Sequence, residues 1–555
     1  MPASQERFDR RRFLSGGART VAAAALGGVG APLLLSDCSS APGRAVATPG
    51  VSRAAPRRGG SVKIGMNSEI DGFSPFSDNW DNTGLTYANT VYDTLTAIAA
   101  DGSAQPYLAE SVTPNGDYSV WTITLRPDVF FHDGTPLDAG VLVANFEAFK
   151  ASPLTGQALA PVLSARRTGH LVVEMVCSQP LVPFPYYLST QVGVVVAPSM
   201  IDPPAGTSPK PVGTGPFVYE DWVPNSHFSA TRNPRYWRPG LPYLDSVTYF
   251  PIADDGARLE SLQSGSVDLM ISTNPSAVTT LRSNPAYQLV DTIHHHLGEP
   301  DMDFIMLNTA VAPTDDPEVR LALAKAIDYE AIVELFGGGL TQPSSGLFPP
   351  GSIYYAPSSY PTYDLAGARA LVDKARSRHG GAISLDLGTI PDPRDVQATQ
   401  AIQSMWEKAG FSVTLSQTDQ ATFIENALEG KFHAYTWEQF SAPDPDLNYP
   451  WWSTTTVGPV GGISLNFARN YDPEIQAALE EGREHANPAT RIAAYRRVNE
   501  RLALDLPYLW LARTIWSAGA NDSVMNFSNP TLPSGQPAEG FSGGVLDPTP
   551  IWLRA

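Results

Sequence analysis

Along the 555 residues the hydrophobic positions change period several times, and each change marks an element. Residues 61–66 (SVKIGM) and 118–125 (YSVWTITL) alternate apolar and polar side chains and include β-branched residues, which predicts short half-buried strands. Further on the period becomes helical. Asp316-Pro317-Glu318 supplies an N-cap, a proline at the first helical position and an acid in the first turn. Val319, Leu323, Ala326 and Ile327 then share a face, and Gly337 lies just past the predicted end. Asp364 caps a second helix through Leu371, Val372 and Ala375, and a third, from Val396 to Ala409, carries Ile402, Met405, Trp406 and Ala409 on one face. Gly410 stops that helix, and Phe411, Val413 and Leu415 begin a strand. Such alternation predicts an α/β domain.

The first half reads differently, with more prolines, isolated strands and loops around Phe184; from Val524 the chain is again loop-rich, and no internal repeat is present. With 43% hydrophobic and 17% charged residues, the chain is long enough to bury two or more cores. Its beginning is of another kind. Phe8-Asp9-Arg10-Arg11-Arg12-Phe13-Leu14 is a twin-arginine n-region, followed by a weakly apolar run over 21–35. That run is diluted by glycines and Pro32 and falls short of the roughly 20 apolar residues a spanning helix needs, so 1–37 reads as an export signal. Leu35-Ser36-Asp37-Cys38 resembles a bacterial lipobox, with Asp37 where glycine or alanine is usual. Cys38 is therefore the expected lipidation site, and an ordinary cleavage site beside an incidental cysteine is the alternative. Residues 38–60, rich in Ser, Ala, Pro and Gly, read as a flexible tether.

Charge and motifs narrow the function. The whole chain carries 37 basic against 56 acidic residues, and the part from 61 to 555 holds 28 against 53. Such a field repels phosphate backbones and anionic membranes, so nucleic acid is excluded as a partner and the lipid is the one expected membrane contact. Two cysteines without a CxxC cannot build a disulfide or zinc scaffold, and Cys177, in an apolar strand, reads as a buried inert thiol. No GxSxG elbow at a strand-to-helix turn is present, the one GxSxG match, Gly540 to Gly544, falling in the loop-rich end, and no HExxH, Walker A loop or SxxK with partner motifs occurs, so neither an enzyme nor a cofactor is expected. His132 beside Asp133 is either an acid–base pair or, given Asp133-Gly134, a structural turn. His294, His295 and His296, with Glu299, Asp301 and Asp303, either offer metal ligands or form a polar strand end. On a strand at most two of those histidines could converge.

A series of signatures carries a family resemblance: Asp71-Gly72-Phe73-Ser74-Pro75, Val91-Tyr92-Asp93-Thr94-Leu95, Pro106-Tyr107-Leu108-Ala109-Glu110-Ser111, and Leu125-Arg126-Pro127 with Phe131-His132-Asp133-Gly134-Thr135-Pro136. Gly213-Thr214-Gly215-Pro216-Phe217, Asn233-Pro234-Arg235-Tyr236-Trp237, Leu262-Gln263-Ser264-Gly265-Ser266-Val267-Asp268 and Val319-Arg320-Leu321-Ala322 through Ala326-Ile327-Asp328 continue it. In this order they resemble the family 5 solute-binding proteins of ABC importers, typified by dipeptide- and oligopeptide-binding proteins. The resemblance implies an α/β, two-lobed periplasmic-binding-protein-like fold of class II that closes like a hinged clamp. It implies a first lobe from 61–303 with 511–555, an extra subdomain at about 86–205, and a second lobe over 304–510.

The resemblance also implies a ligand site. Asp71 and Phe73 belong to the first strand-loop, Arg394 lies in Ile390-Pro391-Asp392-Pro393-Arg394, and Trp437, Glu438, Ser441 and Asp444 lie in an aromatic-acidic segment followed by Trp451 and Trp452. Arg394 resembles the arginine that clamps the ligand carboxylate in dipeptide-binding relatives; a solvated loop arginine is the alternative. Ser441 stands where those relatives have the aspartate that pairs with the α-ammonium, and a hydroxyl cannot neutralise a buried ammonium. The expected ligand is thus a peptide-like or other solute that carries an acidic group or lacks a free α-ammonium; replacement of the missing acid by Glu438, Asp444 or Asp446 is the alternative. Asp444 and Asp446 are read as either loop-forming or ligand-binding, and Trp406 as core. The function implied is a monomeric extracytoplasmic lipoprotein that delivers a peptide or peptide-like solute to ABC permease subunits. A metal chelate, haem, oligosaccharide or opine as ligand, an exported hydrolase, and a sensor on the same fold are the alternatives.

Overall fold

A computed structural model describes residues 55–554 apart from 79, 153–154, 203–209, 294–300 and 440. Cys38, the expected export signal, most of the tether, His294, His295, His296 and Glu299 lie outside the described residues. The described chain is organised by two large sheets. The first is seven-stranded, in the order Tyr287–Asp291, Ser517–Asn521, Leu269–Ser272, Ser61–Met66, Ser246–Pro251, His227–Arg232, Phe217–Val223. The second is five-stranded, in the order Ser412–Gln417, Ser384–Thr389, Ala434–Gln439, Met302–Leu307, Tyr508–Arg513. A four-stranded antiparallel sheet, Ala109–Pro114, Val120–Leu125, Val172–Cys177, Val162–Arg167, forms a separate layer.

Local sequence explains much of this. Val120–Leu125 alternates half-buried and buried residues, as its period-2 pattern requires, and Val172–Cys177 beside it does the same. Ser61–Met66 pairs in parallel with both Ser246–Pro251 and Leu269–Ser272, so it lies inside a sheet, and Gly65 breaks the alternation by being buried. The helix predicted from Asp316 to Gly337 is two helices. Pro317–Ala326 ends at Ile327, which is extended (φ −83°, ψ 122°), and Asp328 caps Tyr329–Gly337 by accepting from Ala331 N. An aspartate side chain that can bond nearby backbone N–H groups restarts a helix where apolar periodicity alone would continue it. Asp392 caps the helix Pro393–Ala409 by accepting from Arg394 N and Asp395 N, and so fixes both residues in its first turn.

The apolar interior divides in the same way as the sheets. One cluster runs from Met302 to Leu511 around Trp406, which is fully buried and donates to Leu323 O (3.0 Å). A second gathers residues between Val62 and Tyr92, Val194 to Ile271, and Trp516 to Ile551. A third, from Leu95 to Ala197, includes Cys177 and belongs to the four-stranded layer. Met302–Leu307 and Tyr508–Arg513 pair with each other, with Asp303 opposite Ala512, so both strands belong wholly to the second sheet. The boundaries expected at 303/304 and 510/511 cut through them; the chain passes between the sheets just outside, after Asp291 and again between Arg513 and Ser517.

The family signatures meet at one place. A Cβ on Gly213 would lie 2.1 Å from Val91 O, and one on Gly215 2.5 Å from the Val91 carbonyl carbon, so glycine is what lets this loop pass. Thr214 Oγ1 (2.8 Å), Tyr236 OH (3.0 Å) and Trp237 Nε1 (2.8 Å) all donate to the carboxyl of buried Asp93. The His132 ring contacts Gly215 O (3.0 Å), and Asp133 accepts from Thr135 N (2.8 Å). His132 and Asp133 form a scaffold turn, and burial lowers the pKa of the imidazole.

Candidate functional site

Between the two large sheets lies a cavity of about 1330 Å³, larger than a typical small-molecule pocket. Its walls come from both sides: Trp80 and Asn82 from the first sheet's layer, Ser189 and Val192 from the extra layer, and Phe304, Trp437 and Phe467 from the second. Aromatic rings build much of the second wall. Trp437 stacks on Phe423 (5.4 Å between centroids, 15°) and meets Phe467 edge-on (5.3 Å, 68°), while Trp451 packs on Phe467 (5.0 Å). Such a surface suits apolar or planar solute groups.

Of the expected ligand residues, Arg394, Trp437, Glu438, Ser441 and Trp451 line this cavity. Asp71, Phe73, Asp444 and Trp452 are not in its walls. Asp71 is exposed, and Phe73 is buried in the first core against Trp222 (5.5 Å) and Phe228 (5.0 Å). Trp451 is 37% exposed whereas Trp452 is 2% exposed, because the single turn Tyr449–Trp452 points one ring at the cavity and the other into the second core. Asp444 takes two hydrogen bonds from Arg491 Nη2, both 2.8 Å, and Asp446 is held by Arg483 at 3.1 Å. Both aspartates are scaffold groups buried in ion pairs, which corrects the ligand reading of Asp444.

The charged part of the cavity wall starts from strand register. Asp303 and Glu438 stand directly opposite each other on neighbouring antiparallel strands. Arg394 Nη2 is 3.4 Å from Asp303 Oδ2, and Thr514 Oγ1 donates to Glu438 Oε1 (3.1 Å). Burial, then the charges of Asp303 and Asp301, pushes the Glu438 carboxyl well above its ordinary range. Burial raises Asp303 while Arg394 opposes it, and Asp303 in turn raises the Arg394 guanidinium. Asp395 is pushed up to about 6 by burial and by Asp392 and Asp303. Arg394 thus has a protein carboxylate, Asp303, as its nearest charged partner.

Asp301 ties the layers together. Its carboxyl accepts from Asn82 Nδ2 (2.9 Å) on the first-layer helix, from Trp516 Nε1 in the returning segment, and from Ser441 N in the second. Burial lifts its pKa to about 6. Neither Asp301 nor Asp303 was marked by the sequence except as a possible metal partner, and among the described residues no cluster of three groups could hold a metal ion. Asp395 was not singled out by the sequence, although it directly follows Arg394; Phe423 and Phe467 carried no local signal.

Two large sheets with a cavity between them match the two-lobed arrangement that the family resemblance implied. The family model for bacterial extracellular solute-binding proteins, family 5, matches residues 103–459, and the chain belongs to that family. The chain is 28% identical over 331 residues to the glutathione-binding protein GsiB of Escherichia coli K12, a match covering 58% of this chain and 63% of that protein. It therefore spans a little under two thirds of that relative's length. Among solved structures, AgaA of A. tumefaciens R10 in complex with agropinic acid superposes with a TM-score of 0.77 at 23% identity, covering 89% of this chain and 99% of that one. DppA of Helicobacter pylori in complex with the peptide STSA gives 0.77 at 21%, covering 90% and 99%. At such identities these structures establish the fold. No described helix is long and apolar enough to cross a membrane.

Proposed function

We propose that this chain is the extracytoplasmic receptor of an ABC importer, closing its lobes on a peptide or peptide-like solute and passing it as a monomer to permease subunits. The observation that carries the reading is the large, aromatic-walled cavity set between two sheets in a member of this family. A relative named for glutathione and a fold neighbour holding a peptide support a solute of that size. A neighbour holding agropinic acid supports an opine-like solute as the second reading. A peptide library is expected to raise the melting temperature for some members, since a ligand that binds only the folded state stabilises it by mass action. Mass spectrometry should find every peptide intact. Progressive cleavage by the pure protein, abolished by a point substitution, would establish a hydrolase instead.

The anchor belongs to the same reading, with twin-arginine export of the chain followed by lipidation at Cys38. One acyl chain holds a protein to membrane only marginally, whereas several hold it firmly. The protein is expected in the detergent phase on Triton X-114 partition, with Cys38→Ala moving it to the aqueous phase. A soluble wild-type protein cleaved elsewhere would remove the anchor.

A further inference from the structure

The cavity wall is electrically one-sided. Among the described residues it presents seven carboxyl side chains and a single basic one, Arg394. Several of the acids are already occupied: Asp81 caps a helix through Gly84 N (2.6 Å), Asp547 accepts from Thr549 N (2.8 Å), and Asp93 holds the three donors described above. The carboxyls with the fewest partners are concentrated where Asp303 and Glu438 oppose each other across two strands, with Asp395 beside them. Like charges placed directly opposite on a sheet destabilise it. One guanidinium, 3.4 Å from Asp303, answers three carboxyls. The group is not sealed in the core either, because the side chains of Arg394 and Asp303 keep 42% and 33% of their surface open.

We propose that the solute carries a cationic group, an ammonium or guanidinium, and that Asp303 and Glu438 receive it at the cavity wall while Arg394 keeps the cluster from carrying its full charge. This rests on the reading of the chain as a solute receptor and names the charge class of its ligand. An ammonium brings several donors to acceptors that now face one another with one guanidinium, against Asp303, beside them, and charge-assisted hydrogen bonds are the strong ones. The acid absent at Ser441 is thereby supplied from the neighbouring strand pair rather than from the same loop. A carboxylate on the solute would instead compete with Asp303 for Arg394 and leave Asp303 opposite Glu438 without its counter-charge, an arrangement that burial makes costly.

Calorimetry with trialanine, N-acetyl-trialanine, Lys-Ala-Ala and Glu-Ala-Ala on the wild type and on Glu438→Gln tests this. The free-amine and lysyl peptides are expected to bind at least tenfold more tightly than the acetylated and glutamyl ones. Glu438→Gln should cut that preference at least fivefold while leaving the melting temperature of the unliganded protein unchanged or raised. Asp303→Asn is the second variant, with the same expected loss of preference. Equal or tighter binding of the acetylated or glutamyl peptide, or a preference untouched in both variants, overturns the cationic assignment and leaves the receptor reading standing. Binding of none of the four overturns the peptide reading and the assignment together.

Discussion

Replacing Arg483 by Met is expected to lower the unfolding free energy by about 3–5 kcal/mol, because it strips the counter-charge from a carboxylate that has no water to turn to. Asp446 is fully buried. Its carboxyl is held by Arg483 Nε at 3.1 Å to both oxygens, by Tyr187 OH (2.8 Å) and by Tyr495 OH (3.3 Å), and the guanidinium lies over the Tyr449 ring at 3.5 Å. Met keeps much of the volume and removes the charge, so the loss reads the stranded carboxylate rather than a cavity. The double variant Arg483→Met with Asp446→Leu should recover at least half of the loss, since a buried pair replaced by apolar groups of similar size is often neutral. Urea denaturation of the three proteins measures both quantities. A single-variant loss below about 1 kcal/mol, the range of exposed pairs, would mean that water reaches Asp446 and that the pair is not a structural pin. Tyr187 belongs to the four-stranded layer and Asp446 to the second sheet's side, so this pin also joins two parts of the molecule.

How much of this the sequence revealed depends on the separation between partners. Helix starts are local, and Asp316 and Asp364 each accept from the N–H groups that their positions promised, while Asp392 opens its helix at Pro393, ahead of the expected Val396. The break at Ile327 was also local but hidden, because Asp328 reads equally well as a surface residue of a continuing helix and as a new cap. The structure divides the aromatic-acidic segment. Glu438 and Trp437 face the cavity, while Asp444 and Asp446 turn to Arg491 and Arg483, which lie on later helices beyond the reach of any motif spacing. The opposition of Asp303 and Glu438 is a fact of register between strands far apart in the chain, and register is set by the whole sheet. Arg394 could be identified as a cavity residue, but not its pairing with Asp303, and the charge expected of the ligand changes sign with that partner.

Gly543→Ala is expected to weaken solute binding roughly five- to a hundredfold while leaving the lobes themselves folded. Gly543 sits in the returning segment beside the first core, at φ +53°, and a Cβ there would lie 2.3 Å from Ser441 Oγ on the opposite side of the seam. Two costs separate cleanly. The left-handed backbone disfavours any side chain by about 1–3 kcal/mol, but that strain is local to one lobe and is the same whether the lobes are apart or together. The collision with Ser441 exists only when they meet, and forcing an extra methyl into a packed seam costs about 1–3 kcal/mol. Only the second cost enters the affinity, and each 1.4 kcal/mol is a factor of about ten. Small-angle scattering should then show the solute-saturated wild type more compact than the solute-free protein, with the variant showing little compaction at the same solute concentration. Ser441→Gly removes the hydroxyl that the new methyl would strike, so Gly543→Ala with Ser441→Gly should bind within about threefold of Ser441→Gly alone. If the double variant binds as poorly as Gly543→Ala, the loss comes from backbone strain, and the contact between Gly543 and Ser441 is not where the lobes close.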